Sequence, residues 1–282
     1  FDNEYQINIY QGENIEAISK KIMFNSNIIE KKLFYILLRF QNSFFKKIHY
    51  GEFIFKSKSS IYDIINIISN PSNVKYELTI VDGWQIFQLD NLFNNLFKKN
   101  VNINYNEILA DTYIYQSNTS LDKILDLMKN NKKKYFKDIE FNEVYNKYSI
   151  NEIMTIASLV EKEGTDYQDK RIISSVIFNR LQKNMKLQID ASTIFAITKG
   201  KYKLTRSLNF DDLKIKDNYN TYYIRGLPPD PICFVSRKTI EIVLENYKSD
   251  YLFYFYDKYL KKHIYSKNFD EHKIKLQKYR NN

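Results

Sequence analysis

The chain has 282 residues, of which 44% are apolar and 16% aromatic, a content that excludes a disordered segment and supplies one large core or two smaller ones. Its formal charge of +10 suits a polyanionic partner, but the basic residues come in short runs such as Lys132-Lys133-Lys134, without the continuous stripe that tracks phosphates. A single cysteine, Cys233, excludes an internal disulfide, and three scattered histidines offer no zinc spacing, so neither a metal nor a cofactor is expected.

In chain order, Tyr5, Ile7 and Ile9 alternate with polar residues as a strand does, and Gln11-Gly12-Glu13 turns into a helix carrying Ile15, Ile18 and Ile22 on one face. A second helical stretch runs through Leu33, Ile36, Leu37 and Phe40. Its surroundings, Ile28 to Phe45, are the most membrane-like part of the chain, but Glu30, Lys31, Lys32 and Arg39 interrupt them and leave an amphipathic helix. Gly51 opens a strand with Phe53 and Phe55 on one side. Ser60 and Asp63 start a helix lined by Ile61, Ile64, Ile65 and Ile68. Asn70-Pro71-Ser72-Asn73 then marks the best boundary, dividing 1–73 from 74–282. Beyond it, Tyr76 to Val81 reads as a strand, Asp82-Gly83 as a turn into a helix with Trp84, Phe87, Leu92 and Leu96, and Leu121 to Tyr135 as another helix. The chain begins at Phe1 without an initiator methionine, so any signal or anchor is expected to have been removed or never to have been there.

Chemistry concentrates further on. Ser149 and Glu152 form a capping box, and from Ile150 the residues Ile153, Met154, Ala157 and Val160 share a helical face. Glu161 projects within that stripe and Glu163 on its flank, with Gly164 just past the helix end. A carboxyl on the flank of a buried helix can look into a cleft while its stem stays dry. Desolvation and the negative end of the helix would both keep it protonated, as general acid work requires. The plainer alternatives are a solvated helix end for Glu161-Lys162-Glu163, or Glu161 as a buried partner for Arg171 or Arg180. A further helix carries Ile173, Val176, Ile177 and Leu181. Asp190 reads as the N-cap of the helix through Ile194 and Ile197, or as pointing the same way as Gln188 from an extended segment. Three of the four prolines fall in Gly226-Leu227-Pro228-Pro229-Asp230-Pro231, shortly after Tyr219-Asn220-Thr221-Tyr222, a stiff loop of the kind that serves a site. Leu252 to Tyr256 and His263 to Tyr265 read as paired strands, and Asn268 caps a last helix.

Five of these blocks, in order, carry a resemblance. They are Ile156-Ala157-Ser158-Leu159-Val160-Glu161-Lys162-Glu163, Val176-Ile177-Phe178-Asn179-Arg180-Leu181, Leu187-Gln188-Ile189-Asp190, Tyr219-Asn220-Thr221-Tyr222 and Gly226-Leu227-Pro228-Pro229-Asp230-Pro231-Ile232. Together they resemble the YceG-like family of endolytic murein transglycosylases, and the segment Asp250 to His272 is similar to the family's terminal strands. The resemblance implies an α+β fold with a small LysM-like module at 1–73 and a catalytic domain of helices around short antiparallel strands at 74–282. It implies an envelope enzyme held in the inner membrane by one N-terminal helix, with this part on the periplasmic side. Such enzymes cut peptidoglycan strands internally between N-acetylmuramic acid and N-acetylglucosamine, leave 1,6-anhydro ends and so terminate or trim nascent glycan. Peptidoglycan is then the partner, with peptidoglycan synthases to be considered beside it.

The family's catalytic glutamate falls on Glu163, leaving Glu161 as its neighbour or alternative acid, and Gln188, Asp190, Asn220, Thr221 and Tyr222 as candidates for holding sugar hydroxyl and acetamido groups. The sequence departs from the family at Gly164, where threonine is usual, at Val81 and Asp82, at Ala110, and at Asp230. Two rivals remain: a glycan-binding scaffold without catalysis, and a nucleic-acid-binding protein. The second leaves the proline loop and the helix-end acids unexplained, so no nucleic-acid partner is expected.

Overall fold

The computed structural model describes residues 4–139 and 143–280. In chain order its elements are β1 (Tyr5–Ile9), α1 (Ile15–Ile22), α2 (Ile28–Phe44), β2 (Gly51–Phe55), α3 (Ile61–Ile68), β3 (Lys75–Thr79), α4 (Ile86–Phe97), β4 (Thr112–Gln116), α5 (Leu121–Asp138), α6 (Glu143–Lys147), α7 (Ile150–Glu163), α8 (Tyr167–Gln182), α9 (Asp190–Thr198), α10 (Arg237–Leu244), β5 (Phe253–Asp257), β6 (Lys262–Ser266) and α11 (Phe269–Arg280). Among the described residues the strands pair two by two, β1 with β2, β3 with β4 and β5 with β6. Helices around small sheets make the fold α+β.

The chain forms two compact units, one of Phe1–Leu78 with Thr112–Asp126, the other of Thr79–Asp111 with Leu127–Asn282. In the first, β1 and β2 pair antiparallel with Ile7 opposite Phe53, so that Ile7, Ile9, Phe53 and Phe55 face one side. Ile18 and Ile22 of α1, Phe34 and Leu38 of α2, and Ile64 and Ile68 of α3 close that side into a core. Capping boxes at Asn27 with Glu30 and at Ser60 with Asp63 start α2 and α3. The unit runs past Ser72-Asn73 because β3 finds its partner in β4, which comes more than thirty residues later in the chain. The residues of α2 that made it read as a helix, Leu33, Ile36, Leu37 and Phe40, are exposed, and Phe34 and Leu38 enter the core in their place.

In the second unit α7 is the central element. Every residue from Ile153 to Val160 is buried, so the helix is enclosed on all sides rather than along one stripe. Its two inner hydroxyls are satisfied locally, Thr155 donating to the Asn151 carbonyl and Ser158 to that of Thr155. The flanking helices α8, α9 and α10 pack on it. The segment after Pro231 runs along α7 as well: the Ile232 N–H donates to Ser158 Oγ at 3.0 Å, and Asn151 donates to the Pro229 carbonyl at 2.9 Å. The proline loop therefore sits at the start of α7. At 1.5 Å per residue that is roughly 18 Å along the axis from Glu163. The stiff loop therefore serves the site by splinting the helix that carries the carboxyl.

Candidate active site

Glu163 is the last residue of α7. It is partly buried and meets two donors: the Tyr254 hydroxyl reaches its Oε2 at 3.2 Å, and the backbone N–H of Ala191, in the first turn of α9, also donates to its carboxyl. Burial pushes the Glu163 carboxyl above the ordinary glutamate value, and the neighbouring Asp190 charge pushes the same way. His263, when protonated, and the two donors favour the ionised form. The surroundings shift the group toward its protonated form yet hold partners ready for the carboxylate. Such a group can give a proton and take one back.

Asp190 is exposed and accepts from the Tyr222 hydroxyl at 2.7 Å. It does not cap α9 as its sequence position implied. Ile189 occupies the cap position, and its N–H is taken by Thr221 Oγ1 at 2.8 Å, which leaves the Asp190 carboxylate for Tyr222. Gln188 is exposed, sits at a left-handed φ of 53°, and donates its N–H to the Thr221 carbonyl. Glu163, Asp190 and Tyr222 are thus brought together, with Gln188 two residues from Asp190.

Asn220 and Thr221 are fully buried, and this corrects their expected direct role in holding sugar groups. The Asn220 amide donates to the carbonyls of Leu213 and Ile215, and its Oδ1 accepts from Thr193 and from the Tyr222 N–H. Thr221 Oγ1 is shared between Ile189 N–H and Ser192 Oγ. These side chains lock the loop that presents Tyr222 and the start of α9.

Glu161 points elsewhere. Lys170 Nζ lies 2.8 and 2.9 Å from its two oxygens, and Thr239 donates to Oε2. The pair is buried, so Glu161 is a charge held by a specific cation, and its partner is Lys170 rather than Arg171 or Arg180. Gly164 belongs to the same arrangement. A Cβ there would stand 2.3 Å from Lys170 Cγ and 3.1 Å from Lys170 Cα, so the chain has no room for the threonine usual in the family.

Two features escaped sequence reading, and a third was offered the wrong partner. Tyr254 is one. Another is a buried relay behind it: the His263 ring meets Tyr254 edge-on at 5.3 Å and its Nδ1 lies 2.9 Å from Asp169, which also accepts from Tyr265. Burial opposes ionisation of Asp169, but these two donors and the Thr165 N–H bring its pKa down to about 2. The last is Arg180, buried without an acidic partner among the described residues. Its guanidinium donates to the carbonyls of Leu187 at 2.7 Å and Leu252 at 2.6 Å, tying the Gln188 segment to β5. The Asp250 to His272 similarity pointed toward this region but not to individual side chains.

Comparison with known proteins places these residues in context. Residues 7–278 match the profile of the YceG-like family. A Bacillus subtilis protein named endolytic murein transglycosylase is 28% identical over 97% of this chain and 84% of its own length. A Streptococcus pneumoniae protein of the same name is 33% identical over 57% of this chain but only 29% of its own length. The crystal structure of a YceG-like protein from Listeria monocytogenes superposes with a TM-score of 0.57 at 22% identity, covering 97% of this chain and 99% of that one, which is a likeness of fold.

Proposed function

The chain belongs to the YceG-like family, and on that premise we propose that it is an endolytic murein transglycosylase, cutting glycan strands between N-acetylmuramic acid and N-acetylglucosamine to leave 1,6-anhydro ends. It is a lytic transglycosylase, a carbon–oxygen lyase acting on polysaccharide. One observation carries the residue assignment: Glu163 ends a buried helix with a raised pKa, between the Tyr254 hydroxyl and the first turn of α9.

In the first step Glu163 gives its proton to the glycosidic oxygen as the C1–O bond of the muramic acid breaks, and positive charge develops at C1. Tyr254 and the Ala191 N–H stabilise the carboxylate that remains. In the second step that carboxylate takes the proton of the same sugar's C6 hydroxyl, whose oxygen bonds to C1 and closes the anhydro ring. No water is consumed, and one carboxyl serves both steps, unlike the pair that hydrolysis uses. In this reading Gln188, Asp190 and Tyr222 meet hydroxyl and acetamido groups, with Asn220 and Thr221 holding their loop; the bond from Tyr222 to Asp190 supports it.

The order β1-α1-α2-β2 around one antiparallel pair supports a LysM-like module at the start of the chain, contributing glycan affinity. A peptidoglycan substrate places this part of the protein outside the cytoplasm. We extend the proposal to an N-terminal membrane anchor, to termination of nascent strands and to work alongside the synthases that make them. The test is mass spectrometry of purified glycan strands after incubation with wild type and Glu163→Gln. The wild type is expected to release anhydro ends, and the variant to lose about 10²–10⁴-fold of that rate. Equal yields remove Glu163 from the reaction. Glycan retention by the wild type without anhydro products selects an inert scaffold instead.

A further inference from the structure

Helix α2 has two apolar faces, and only one of them is used. Phe34 and Leu38 are fully buried against the core of the first unit. Ile29, Leu33, Ile36, Phe40 and Phe44 step by three and four residues along another face, which Leu37 widens, and these six are between 39% and 79% exposed. The stripe follows the helix through all 17 residues, about 26 Å at the α-helical rise. Phe40 contacts Phe44 at 5.0 Å and Phe45 at 5.6 Å between ring centroids, so the far end is a cluster of aromatic rings open to solvent. Exposed apolar surface this continuous marks a site of contact.

Charge identifies what it contacts. Between positions 28 and 47 stand five basic residues, Lys31, Lys32, Arg39, Lys46 and Lys47, against one acid, Glu30. Lys32 and Arg39 border the stripe, Lys46 and Lys47 follow its aromatic end, and among the described residues none of these four has an acidic partner. A second copy packed stripe to stripe would bring these cations against their own kind. Apolar residues beside unpaired cations, lying flat along one rigid helix, fit instead the boundary between acyl chains and anionic headgroups. Among the described residues no helix is long and apolar enough to cross a membrane, so contact here is with the surface.

We propose that the face of α2 carrying Ile29, Leu33, Ile36, Phe40 and Phe44, with Lys32 and Arg39 beside it, docks the protein flat on an anionic phospholipid bilayer. The contact is separate from the carboxyl chemistry of the second unit, so its failure leaves the enzymatic reading standing.

Flotation of the 282-residue chain with vesicles of phosphatidylcholine, alone or mixed with phosphatidylglycerol, tests this. Binding to the anionic vesicles is expected, weakening as salt rises. Phe40→Ser with Phe44→Ser, and separately Lys32→Gln with Arg39→Gln, should each weaken it roughly tenfold or more. Because all four side chains are exposed, circular dichroism and melting should not change; the charge pair removes no apolar surface and remains informative if the phenylalanine pair proves unstable. Three results overturn the proposal: no flotation at low salt, flotation indifferent to both double variants, or a lipid-free dimer that the phenylalanine variant disperses. The last would assign the face to a second copy.

Discussion

Tyr254→Phe removes one oxygen from the site and leaves the ring, so the edge-on contact with His263 at 5.3 Å is retained while the hydrogen bond to Glu163 at 3.2 Å is lost. The phenol is buried and its own pKa is driven well above the ordinary value, so it acts as a donor throughout the working range. A donor to a carboxylate favours the ionised form, and its removal raises the Glu163 pKa further. One hydrogen bond to a charged acceptor contributes about 1.5 kcal/mol, which corresponds to roughly one pH unit. The first proton transfer needs the protonated acid, so activity declines on the alkaline side as Glu163 ionises. The alkaline limb of kcat/KM for anhydro-product release should therefore move to higher pH by roughly one unit in the variant. Rates measured on purified glycan across the pH range decide it. A limb that stays in place, or moves to lower pH, shows that the ionisation governing the rate is not that of the group bonded to Tyr254.

Glu161→Gln leaves Lys170 buried without its counter-charge, and stability should fall by about 3 kcal/mol in denaturant titrations while the folded fraction still releases anhydro ends; loss of activity in fully folded protein would instead make Glu161 the acid. Asp169→Asn should lower stability by about 2 kcal/mol at neutral pH, since the native pKa lies near 2 against an ordinary 3.8. The sign follows from a depressed folded value: the contribution is present above about pH 4 and lost as pH falls through about 2, so the gap to wild type must close on acidification, and a gap that persists at low pH excludes ionisation as its source. Gly164→Thr places a side chain against Lys170 and should destabilise by about 1–3 kcal/mol, and an unchanged melting temperature would mean that Lys170 gives way freely.

Local chemistry was legible wherever its signal was local. The start of α7 follows from Ser149 and Glu152 alone, and the capping box is formed as expected. The flank position of Glu163 could be counted from the same helix, although that helix proved to be enclosed all round. What a count along one helix cannot supply is the other side of the cleft. Strand β5 reads Phe-Tyr-Phe-Tyr-Asp, and with an aromatic ring at both kinds of position no alternation tells which tyrosine turns toward Glu163. Helix α10 follows Ser236 without the reciprocal capping box that marks the start of α3 at the same length, so its start carries a weaker local signal. Asp190 looked like a cap because aspartate before an apolar helix usually is one, yet α9 starts one residue earlier, with Ile189 in the cap position and Asp190 already helical, free to meet Tyr222 some thirty positions away. The prolines announced stiffness but not location, since a rigid segment acts wherever the chain lays it, and here that is the far end of α7. Glu163, the proposed general acid, is thus the part of the site that one helix determines by itself. Its proton affinity is set first by burial, then by Asp190, His263, Tyr254 and Ala191, surroundings that only the closed fold assembles around it.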